Sequence, residues 1–302
     1  MSHPYLAFAP LQGYTDAAYR QAHHLCAGGV DEYYTPFLRL EHGEVRRKDL
    51  RDADPQRNQG VPTVPQVIAR DAGEFATLCD ALQGMGWQRI DLNMGCPFPM
   101  QVHGGRGSGL LPHPERVEEI AREMERRPEV RFSVKMRLGQ ESADEGLALL
   151  PTLNALPLTH ITLHPRLGRQ QYKGLPDPEA FRRFYEGCGV PLVYNGDIAD
   201  RSRMEHLAAE FPNLKGFMVG RGLLAHPWML CERDPHEVLT AMHEQLYRHA
   251  VATLCGESQV LARLQAFWEY TDIAPRSKKA IKKATTLPRY REAVAVALSG
   301  IC

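Results

Sequence analysis

The stretch Ile90–Pro97 places a cysteine where a side chain can do chemistry. Its first half is an apolar run that predicts a buried strand, and Gly95 and Pro97 then end that strand. Cys96 is therefore expected on a turn at the carboxyl end of the strand, beside the glycine-rich loop 103–109. Because cysteine is also a common small buried residue, its position alone leaves packing and catalysis as alternatives.

Polar side chains stand at the ends of most other apolar runs. They are Gln12, Gln66, Asn93, Lys135, His164, Arg166, Asn195, Asp197 and Arg221. Each has a plain structural explanation, since Asn-Gly-Asp makes a good turn and a lone histidine can be structural. Their convergence is harder to explain by chance than any single one, so we expect a functional site where the strands end.

The residue types narrow the chemistry of this site. Asn195-Gly196-Asp197 and Gly220-Arg221-Gly222 follow the seventh and eighth runs, where barrel enzymes often bind phosphate. Glycines let backbone N–H groups approach a phosphate, and Arg221 adds charge-assisted hydrogen bonds. At the predicted strand ends, the sequence offers neither a cluster of aspartates for a metal nor paired carboxylates for glycosidase chemistry. A phosphorylated cofactor suits this set better than a metal.

These residues need a scaffold that brings strand ends together. Apolar runs alternate with helical patterns, and the predicted strands are 5–11, 30–38, 62–69, 89–94, 131–138, 160–164, 191–198 and 216–222. Such β-then-α units predict an α/β fold, namely a closed TIM (β/α)₈ barrel. An open doubly wound sheet is the alternative, although the Gly-x-Gly-x-x-Gly fingerprint of dinucleotide-binding sheets is missing.

The pattern changes near Asp234, after which only helical periodicity remains. We therefore predict a barrel over residues 1–233 and a small all-helical domain over 234–302. The second domain carries the one dense basic run of the chain, Arg276–Lys283. Its lysines share one helical face and are Lys278, Lys279, Lys282 and Lys283. A solvated face and contact with a polyanion are the two interpretations.

Composition limits the partners and the compartment. The 36 basic and 36 acidic residues give a formal net charge of zero, so any nucleic-acid contact must come from a local basic patch. The seven cysteines are widely spaced without a Cys-x-x-Cys pair, which argues against disulfides and zinc and suits the cytoplasm. Neither a signal peptide nor an apolar run of about 18 residues is evident, so no membrane contact is expected.

The set of motifs resembles the tRNA-dihydrouridine synthase family. The resemblance covers the barrel end to end and follows one order: 9–16, Asn93-x-Gly95-Cys96-Pro97, Lys135-x-Arg137, His164-x-Arg166, Asn195-Gly196-Asp197 and Gly220-Arg221-Gly222. Asn-x-Gly-Cys-Pro is the most specific of these motifs, and the helical tail matches the family's small carboxyl-terminal domain in position. Residues 11–14, Pro99 and His103 depart from the usual family pattern.

This resemblance implies an FMN-dependent oxidoreductase that uses NADPH to reduce specific uridines of tRNA to 5,6-dihydrouridine. Cys96 would be the catalytic proton donor, and no metal would be needed. FMN would be bound by Pro10, Gln12, Gln66, Lys135, His164, Asn195, Asp197, Gly220 and Arg221. The substrate would be bound by Asn93, Arg166, Lys278, Lys279, Lys282 and Lys283.

The residue types are consistent with this chemistry. A cysteine with a pKa of about 8.5 is mostly protonated at neutral pH and can act as an acid without perturbation. A fixed ammonium from Lys135 favours the negative charge of a reduced flavin. Since a stacked base cannot reach a flavin inside a barrel mouth, the target uridine would have to be flipped out or already unpaired.

Other functions remain open at this point. The same flavin site could reduce a free pyrimidine, or a uridine in another RNA. Lys135 could form a Schiff base in an aldolase, or the barrel could bind RNA without catalysis. The sequence does not fix the modified position, the choice between NADPH and NADH, or the oligomeric state, for which a monomer is expected.

Overall fold

The computed structural model describes residues 3–301 and shows a closed barrel of parallel strands. The strands are β1 (Tyr5–Phe8), β2 (Glu32–Tyr34), β3 (Thr63–Val64 and Gln66–Val67), β4 (Arg89–Met94), β5 (Arg131–Gly139), β6 (Ile161–Leu167), β7 (Leu192–Asn195) and β8 (Gly216–Val219). Each strand pairs with its neighbour in sequence, and β8 pairs with β1 to close the ring. The predicted TIM barrel is confirmed, and the open-sheet alternative is wrong.

The third strand is split at Pro65 rather than continuous over 62–69. Proline has no N–H to donate to a sheet, so pairing changes partner at this point. The half Thr63–Val64 pairs with β2, and the half Gln66–Val67 pairs with β4. The Pro65 carbonyl accepts the Asp91 N–H at 3.0 Å, which keeps the two sides of the break together.

The helices predicted around the barrel form, with local changes, and α2, α4 and α10 are additional short helices. The full set is α1 (Ala17–Cys26), α2 (Arg47–Asp52), α3 (Ala72–Gly84), α4 (Pro99–His103), α5 (Pro114–Glu125), α6 (Ala143–Ala148), α7 (Leu150–Ala155), α8 (Pro178–Gly187), α9 (Arg201–Glu210) and α10 (Arg221–Ala225). The helix predicted over 144–156 is two helices, because Pro151 lies in the first turn of α7 and cannot continue α6. Residues 41–57, which had no clear pattern, form part of a short hairpin, α2 and a 3₁₀ turn.

Several strands are shorter than their apolar runs. β1 ends at Phe8, β7 at Asn195 and β8 at Val219, so residues 9–16 and Gly196-Asp197 lie on loops, whereas Arg221 begins α10. The loop after β1 is held by the Thr15 hydroxyl, which accepts the Leu11 N–H at 2.8 Å. Asp16 then caps α1 by accepting the Tyr19 N–H at 3.0 Å. The motif residues after β1 are therefore placed by side-chain hydrogen bonds rather than by the sheet.

Four helices complete the chain: α11 (Pro235–Thr253), α12 (Glu257–Phe267), α13 (Pro275–Lys283) and α14 (Leu287–Leu298). Their buried centre includes Trp268, which donates from Nε1 to the Tyr290 hydroxyl at 2.9 Å. They dock on the barrel beside α1, where Arg263 pairs with Asp16 at 2.6 Å. Across residues 3–301, no helix has both the length and the apolarity needed to cross a membrane.

Candidate active site

A cavity of about 610 Å³ opens at the carboxyl ends of the strands. Eight of the predicted site residues line it: Pro10, Lys135, His164, Arg166, Asn195, Asp197, Gly220 and Arg221. Two predicted cofactor residues do not, since Gln12 donates to the Phe37 carbonyl at 3.3 Å and Gln66 lies deeper in the barrel. A volume of this size is typical of sites for cofactors and other small molecules.

Asp197 organises the charged side of this cavity. It forms a two-pronged ion pair with buried Arg166, and Arg221 donates to its Oδ1 at 2.8 Å. Burial alone would raise the pKa of Asp197, but the two guanidinium groups lower it below its usual range. Asp197 adopts a φ of +44°, a left-handed conformation that Asp tolerates better than most residues. The Asn-Gly-Asp turn therefore aims a carboxylate that orients two arginines.

The hydrogen bond to His164 fixes its protonation state. Arg166 Nη1 lies 3.1 Å from His164 Nε2, and because arginine can only donate, this nitrogen must accept. Burial lowers the pKa of His164 well below its usual range, and nearby cations act in the same direction: Arg137, Lys135, Arg166 and Arg221. The imidazole is therefore neutral, with its proton on Nδ1.

The cavity carries an excess of positive charge. Lys135, Arg166 and Arg221 line it, whereas Asp197 is the one acidic residue in the lining formed by the described chain. The Nε of Arg166 is buried and has no hydrogen-bond partner within residues 3–301. A buried donor without a partner favours a ligand that supplies an acceptor, and the charge favours an anion.

The loops after β7 and β8 approach each other too closely for larger residues. A Cβ on Gly222 would lie 2.2 Å from the Ile198 carbonyl oxygen, so only glycine fits there. Asn195 joins the same two strands by donating from Nδ2 to the Met218 carbonyl at 2.7 Å. Gly222, one of the glycines predicted to admit a phosphate, is thus also needed to pack the cavity wall.

Lys135 lies between the charged side and β4. It is paired in register with Asn93 of β4 and also lines the cavity. Burial lowers its pKa to about 8, Arg137 acts in the same direction, and Asp91 and Cys96 oppose the shift. Its ammonium has no hydrogen-bond or ion-pair partner within residues 3–301, so it is available to a ligand.

Cys96 occupies a turn that is held from both sides. The Asn93 Oδ1 accepts the N–H groups of Gly95 at 3.0 Å and of Cys96 at 2.9 Å. On the other side, the Cys96 carbonyl accepts the Ser108 N–H at 3.0 Å. Gly107 approaches so closely that a Cβ there would lie 2.5 Å from the Cys96 oxygen. The predicted turn is therefore present and tightly packed.

The setting of Cys96 keeps its thiol protonated. The side chain is half-buried, and burial raises its pKa, while the Phe98 N–H and the charges of Arg137 and Lys135 act against that shift. Cys96 is not in the cavity lining but follows β4, the strand that pairs with the Lys135 strand β5, on the turn directly after it. The geometry thus offers an anion-binding cavity with a neutral acid at its side.

Two aromatic residues of the cavity were not predicted. Tyr172 lies between two guanidinium groups, 4.8 Å from Arg221 and 5.5 Å from Arg137. Tyr270 comes from the helical tail and packs edge-on against Tyr14 at 4.9 Å. Both stand on loops without a motif, so no sequence pattern pointed to them. Asp91 was also missed, although a charge inside an apolar strand is a recognisable signal.

The basic run forms the helix α13. Ser277 and Ile281 are buried, so the lysines occupy the other sides of the helix, and Lys279, Lys282 and Lys283 are exposed. Lys278 is half-buried and donates to the Glu269 carbonyl at 3.2 Å. Among the described residues no carboxylate pairs with any of the four lysines. This face can therefore receive a polyanion without first breaking an ion pair.

Comparison with known proteins places this site in a family. The family model described as "Dihydrouridine synthase (Dus)" matches residues 7–295. A probable tRNA-dihydrouridine synthase of Staphylococcus epidermidis is 29% identical over 248 residues, covering 78% of this chain and 73% of that protein. The tRNA-dihydrouridine synthase B of Pasteurella multocida is 26% identical over 246 residues, covering 78% of this chain and 73% of that protein.

Solved structures agree on the fold. Morphinone reductase superposes with a TM-score of 0.54 at 10% identity, over 78% of this chain and 85% of that one. The old yellow enzyme from Trypanosoma cruzi gives a TM-score of 0.54 at 8% identity, over 79% of this chain and 88% of that one. At such low identity these structures show the barrel fold alone. The family model, in contrast, matches nearly the whole chain, from β1 into α14, and the chain therefore belongs to the dihydrouridine synthase family.

Proposed function

We propose that this protein is an FMN-dependent tRNA-dihydrouridine synthase that uses NADPH and has Cys96 as its proton donor. Membership of the family supports an oxidoreductase that acts on uridine in tRNA. The observation that carries the residue assignment is a protonated thiol, fixed on a turn, beside a cationic cavity. A nucleophilic cysteine would need a depressed thiol pKa, and the shift here has the opposite sign.

The cavity fits FMN by its donor set. Arg221 and the backbone around Gly196 and Gly220 would hold the phosphate, with Asp197 keeping the Arg221 guanidinium in place. The unpartnered Nε of Arg166 and the ammonium of Lys135 would receive acceptor atoms of the cofactor or of the uracil. Pro10 and Asn195 contribute to the walls, and Gln12 and Gln66 would act from outside the lining.

The chemistry requires a hydride at C6 of uracil and a proton at C5. A flavin bound in the cavity and reduced by NADPH would supply the hydride. Cys96 then gives its Sγ–H proton to C5, which completes dihydrouridine and leaves a thiolate that solvent reprotonates. Lys135 and Arg137 favour that transient thiolate, because both cations act on the Cys96 sulfur.

Lys135 has a second task in this scheme. Its pKa of about 8 keeps it mostly protonated at neutral pH, so an ammonium group faces the cavity under these conditions. That cation would stabilise the negative charge of a reduced flavin. A Schiff-base aldolase would use the same lysine as a neutral nucleophile, but membership of an oxidoreductase family counts against that alternative.

The substrate would be held by charge outside the cavity. The exposed lysines of α13 lie on the tail that also contributes Tyr270 to the cavity wall. We propose that they bind tRNA phosphates while the target uridine is turned out toward Cys96. The division into residues 1–233 and 234–302, a monomeric state and a cytoplasmic location stay predictions.

Purified protein and tRNA lacking modifications provide the test. We expect a yellow protein with one FMN per chain, and NADPH-dependent formation of dihydrouridine in tRNA, detected by mass spectrometry of nucleosides. Free uracil and orotate serve as competing substrates. Turnover of a free pyrimidine at the rate found with tRNA would contradict the proposal and favour a free-pyrimidine reductase. Mapping dihydrouridine in RNA from cells without this protein would then identify the position and the RNA.

A further inference from the structure

Asp91 is a fully buried carboxylate in the middle of β4 for which the proposed reaction has no use. Ser133 of β5 donates to its Oδ1 at 2.5 Å, and Gln66 of β3 donates from Nε2 to its Oδ2 at 2.7 Å. A buried charge is costly even when it is hydrogen-bonded, so its presence calls for a reason. Asp91 precedes Asn93 by two residues and thus shares its side of the strand.

The carboxylate imposes a direction on the side chain of Gln66. Burial raises the pKa of Asp91 to about 6, against the hydrogen bonds from Ser133 and Gln66, so at pH 8 it is ionised and can only accept. Gln66 must then turn its NH₂ group toward Asp91. Its Oε1 is left facing β4, where it accepts from Asn93 Nδ2 at 2.7 Å.

The same logic fixes Asn93. Because its NH₂ group is used on Gln66, its Oδ1 is the atom that meets the N–H groups of Gly95 and Cys96. A reversed amide would set an NH₂ group against two N–H donors, and the turn would lose both hydrogen bonds. The direction of both amides is therefore decided by Asp91, five residues before the cysteine, through Gln66 on the neighbouring strand.

We propose that Asp91 is a positioning residue for Cys96, acting through Gln66 and Asn93. The three side chains form an amide relay in which every donor faces an acceptor and whose far end holds the Cys96 turn. The proposal rests on the proposed function only in treating Cys96 as the reacting group. The hydrogen-bonded path from Asp91 to the Cys96 turn can be tested without reference to any reaction.

Asp91→Asn is the sharpest perturbation, because it keeps the shape of the side chain but no longer forces one orientation on the Gln66 amide. An asparagine can present either oxygen or NH₂ to Gln66, so the relay can run both ways. We expect hydrogen–deuterium exchange at the Gly95 and Cys96 amides of the full-length protein to rise about 2- to 10-fold at pH 8. This range corresponds to the net loss of one hydrogen bond.

Thr162→Val is the matched control. Thr162 is equally buried on β6, and its hydroxyl has no partner in the described part of the chain. The swap is nearly isosteric and breaks no relay bond, so the Gly95 and Cys96 amides should exchange at the wild-type rate. An equal rise in both variants, or a rise throughout the barrel in Asp91→Asn, would mean general loosening and would overturn the proposal.

Gln66→Met provides a second route if Asp91→Asn folds poorly. It removes the middle of the relay, so exchange at Gly95 and Cys96 should rise as in Asp91→Asn. The double variant should exchange no faster than the faster single variant, because both changes break one path. If the two changes instead multiplied each other's effect on the exchange rates, Asp91 and Gln66 would have separate local roles, and the relay would be overturned.

Kinetics separate this inference from the proposed function. In Asp91→Asn we expect kcat to fall while KM for tRNA stays within about twofold, since the basic face of α13 is untouched. Faster exchange with unchanged kcat would support the relay and count against Cys96 as the proton donor. Unchanged exchange would overturn the relay whatever the effect on kcat.

Discussion

The two sides of the barrel mouth hold their reactive groups by different means. Over β6–β8, the side chains are held by ion pairs, because Asp197 pairs with Arg166 and Arg221. The excess positive charge of these groups faces the cavity. Over β3–β4, the side chains are held by hydrogen bonds between buried amides, each of which must point in one direction. The group held there is a neutral thiol. Charge can attract and retain a phosphorylated ligand, whereas placing a proton donor demands orientation more than attraction. On the proposed roles of these two sides, binding and proton transfer are built separately and should fail separately.

The largest effect on one side alone should come from Cys96→Ala, which should impair product formation without impairing flavin binding. General acid catalysis contributes about 10²- to 10⁴-fold, so dihydrouridine formation should fall by that amount. The charged side is unchanged, so the flavin should stay bound and NADPH should still bleach it. Stopped-flow absorbance and nucleoside mass spectrometry report the two steps. The exposed Cys255 supplies a matched Cys255→Ala control, and wild-type product yield in Cys96→Ala would refute the acid role.

Arg221→Ala should produce the converse result. Hydrogen bonds to charged groups contribute about 1.5–3 kcal/mol, so FMN should bind about 10- to 100-fold more weakly. Product yield should recover when FMN is added in excess, because the Cys96 turn is intact. Fluorescence titration of flavin-free protein measures the affinity. An exposed arginine far from the cavity, Arg248, provides the control as Arg248→Ala.

Lys135→Met should reveal the cost of the cation between the two sides. Because the folded pKa of Lys135 is lowered to about 8 from 10.5, the unfolded chain binds more protons above pH 8. The penalty for burying the charge is thus complete below pH 8 and is relieved as pH rises toward 10.5. Flavin-free Lys135→Met should be about 1–2 kcal/mol more stable than wild type at pH 7, with a shrinking gain above pH 8. Urea unfolding of both proteins at pH 7 and above pH 8 measures the difference in stability. A stability gain of Lys135→Met that grows with pH would contradict the prediction.

The smallest effect is expected outside the mouth. The double change Lys279→Gln with Lys283→Gln should lower the slope of log affinity against log salt by about 1.4, at about 0.7 per phosphate contact of a single strand. Turnover at saturating tRNA should stay at the wild-type level. Filter binding across a salt series gives the slope. Lys48→Gln on exposed α2 should leave it unchanged, and an unaltered slope in the double variant would exclude this face from binding tRNA.

Prediction from the sequence succeeded where breakers bound an apolar run. β4 was predicted at its observed bounds, since Gly95 and Pro97 follow it directly. The residues around Asp197 were also found, because strand ends meet in a barrel. What the pattern could not give was hydrogen-bond direction, because Gln66 and Asn93 are 27 residues apart and nothing in their identities orients either amide. Tyr172 was missed for a related reason, as its two arginine neighbours come from β5 and from the start of α10, both distant in sequence.

Tyr270 has a consequence for how the two ligands influence each other. It lines the cavity, and the adjacent Glu269 carbonyl is held by Lys278 from the basic helix α13. If the proposed RNA contact drew Lys278 away, it would remove the hydrogen bond on this carbonyl, next to a residue that lines the cavity. By thermodynamic linkage, any change that RNA makes in the affinity for the cofactor must be returned by the cofactor as an equal change in the affinity for RNA. On the proposed roles of these groups, the tail would do more than bind RNA, since it would link occupation of the cavity to binding of the substrate.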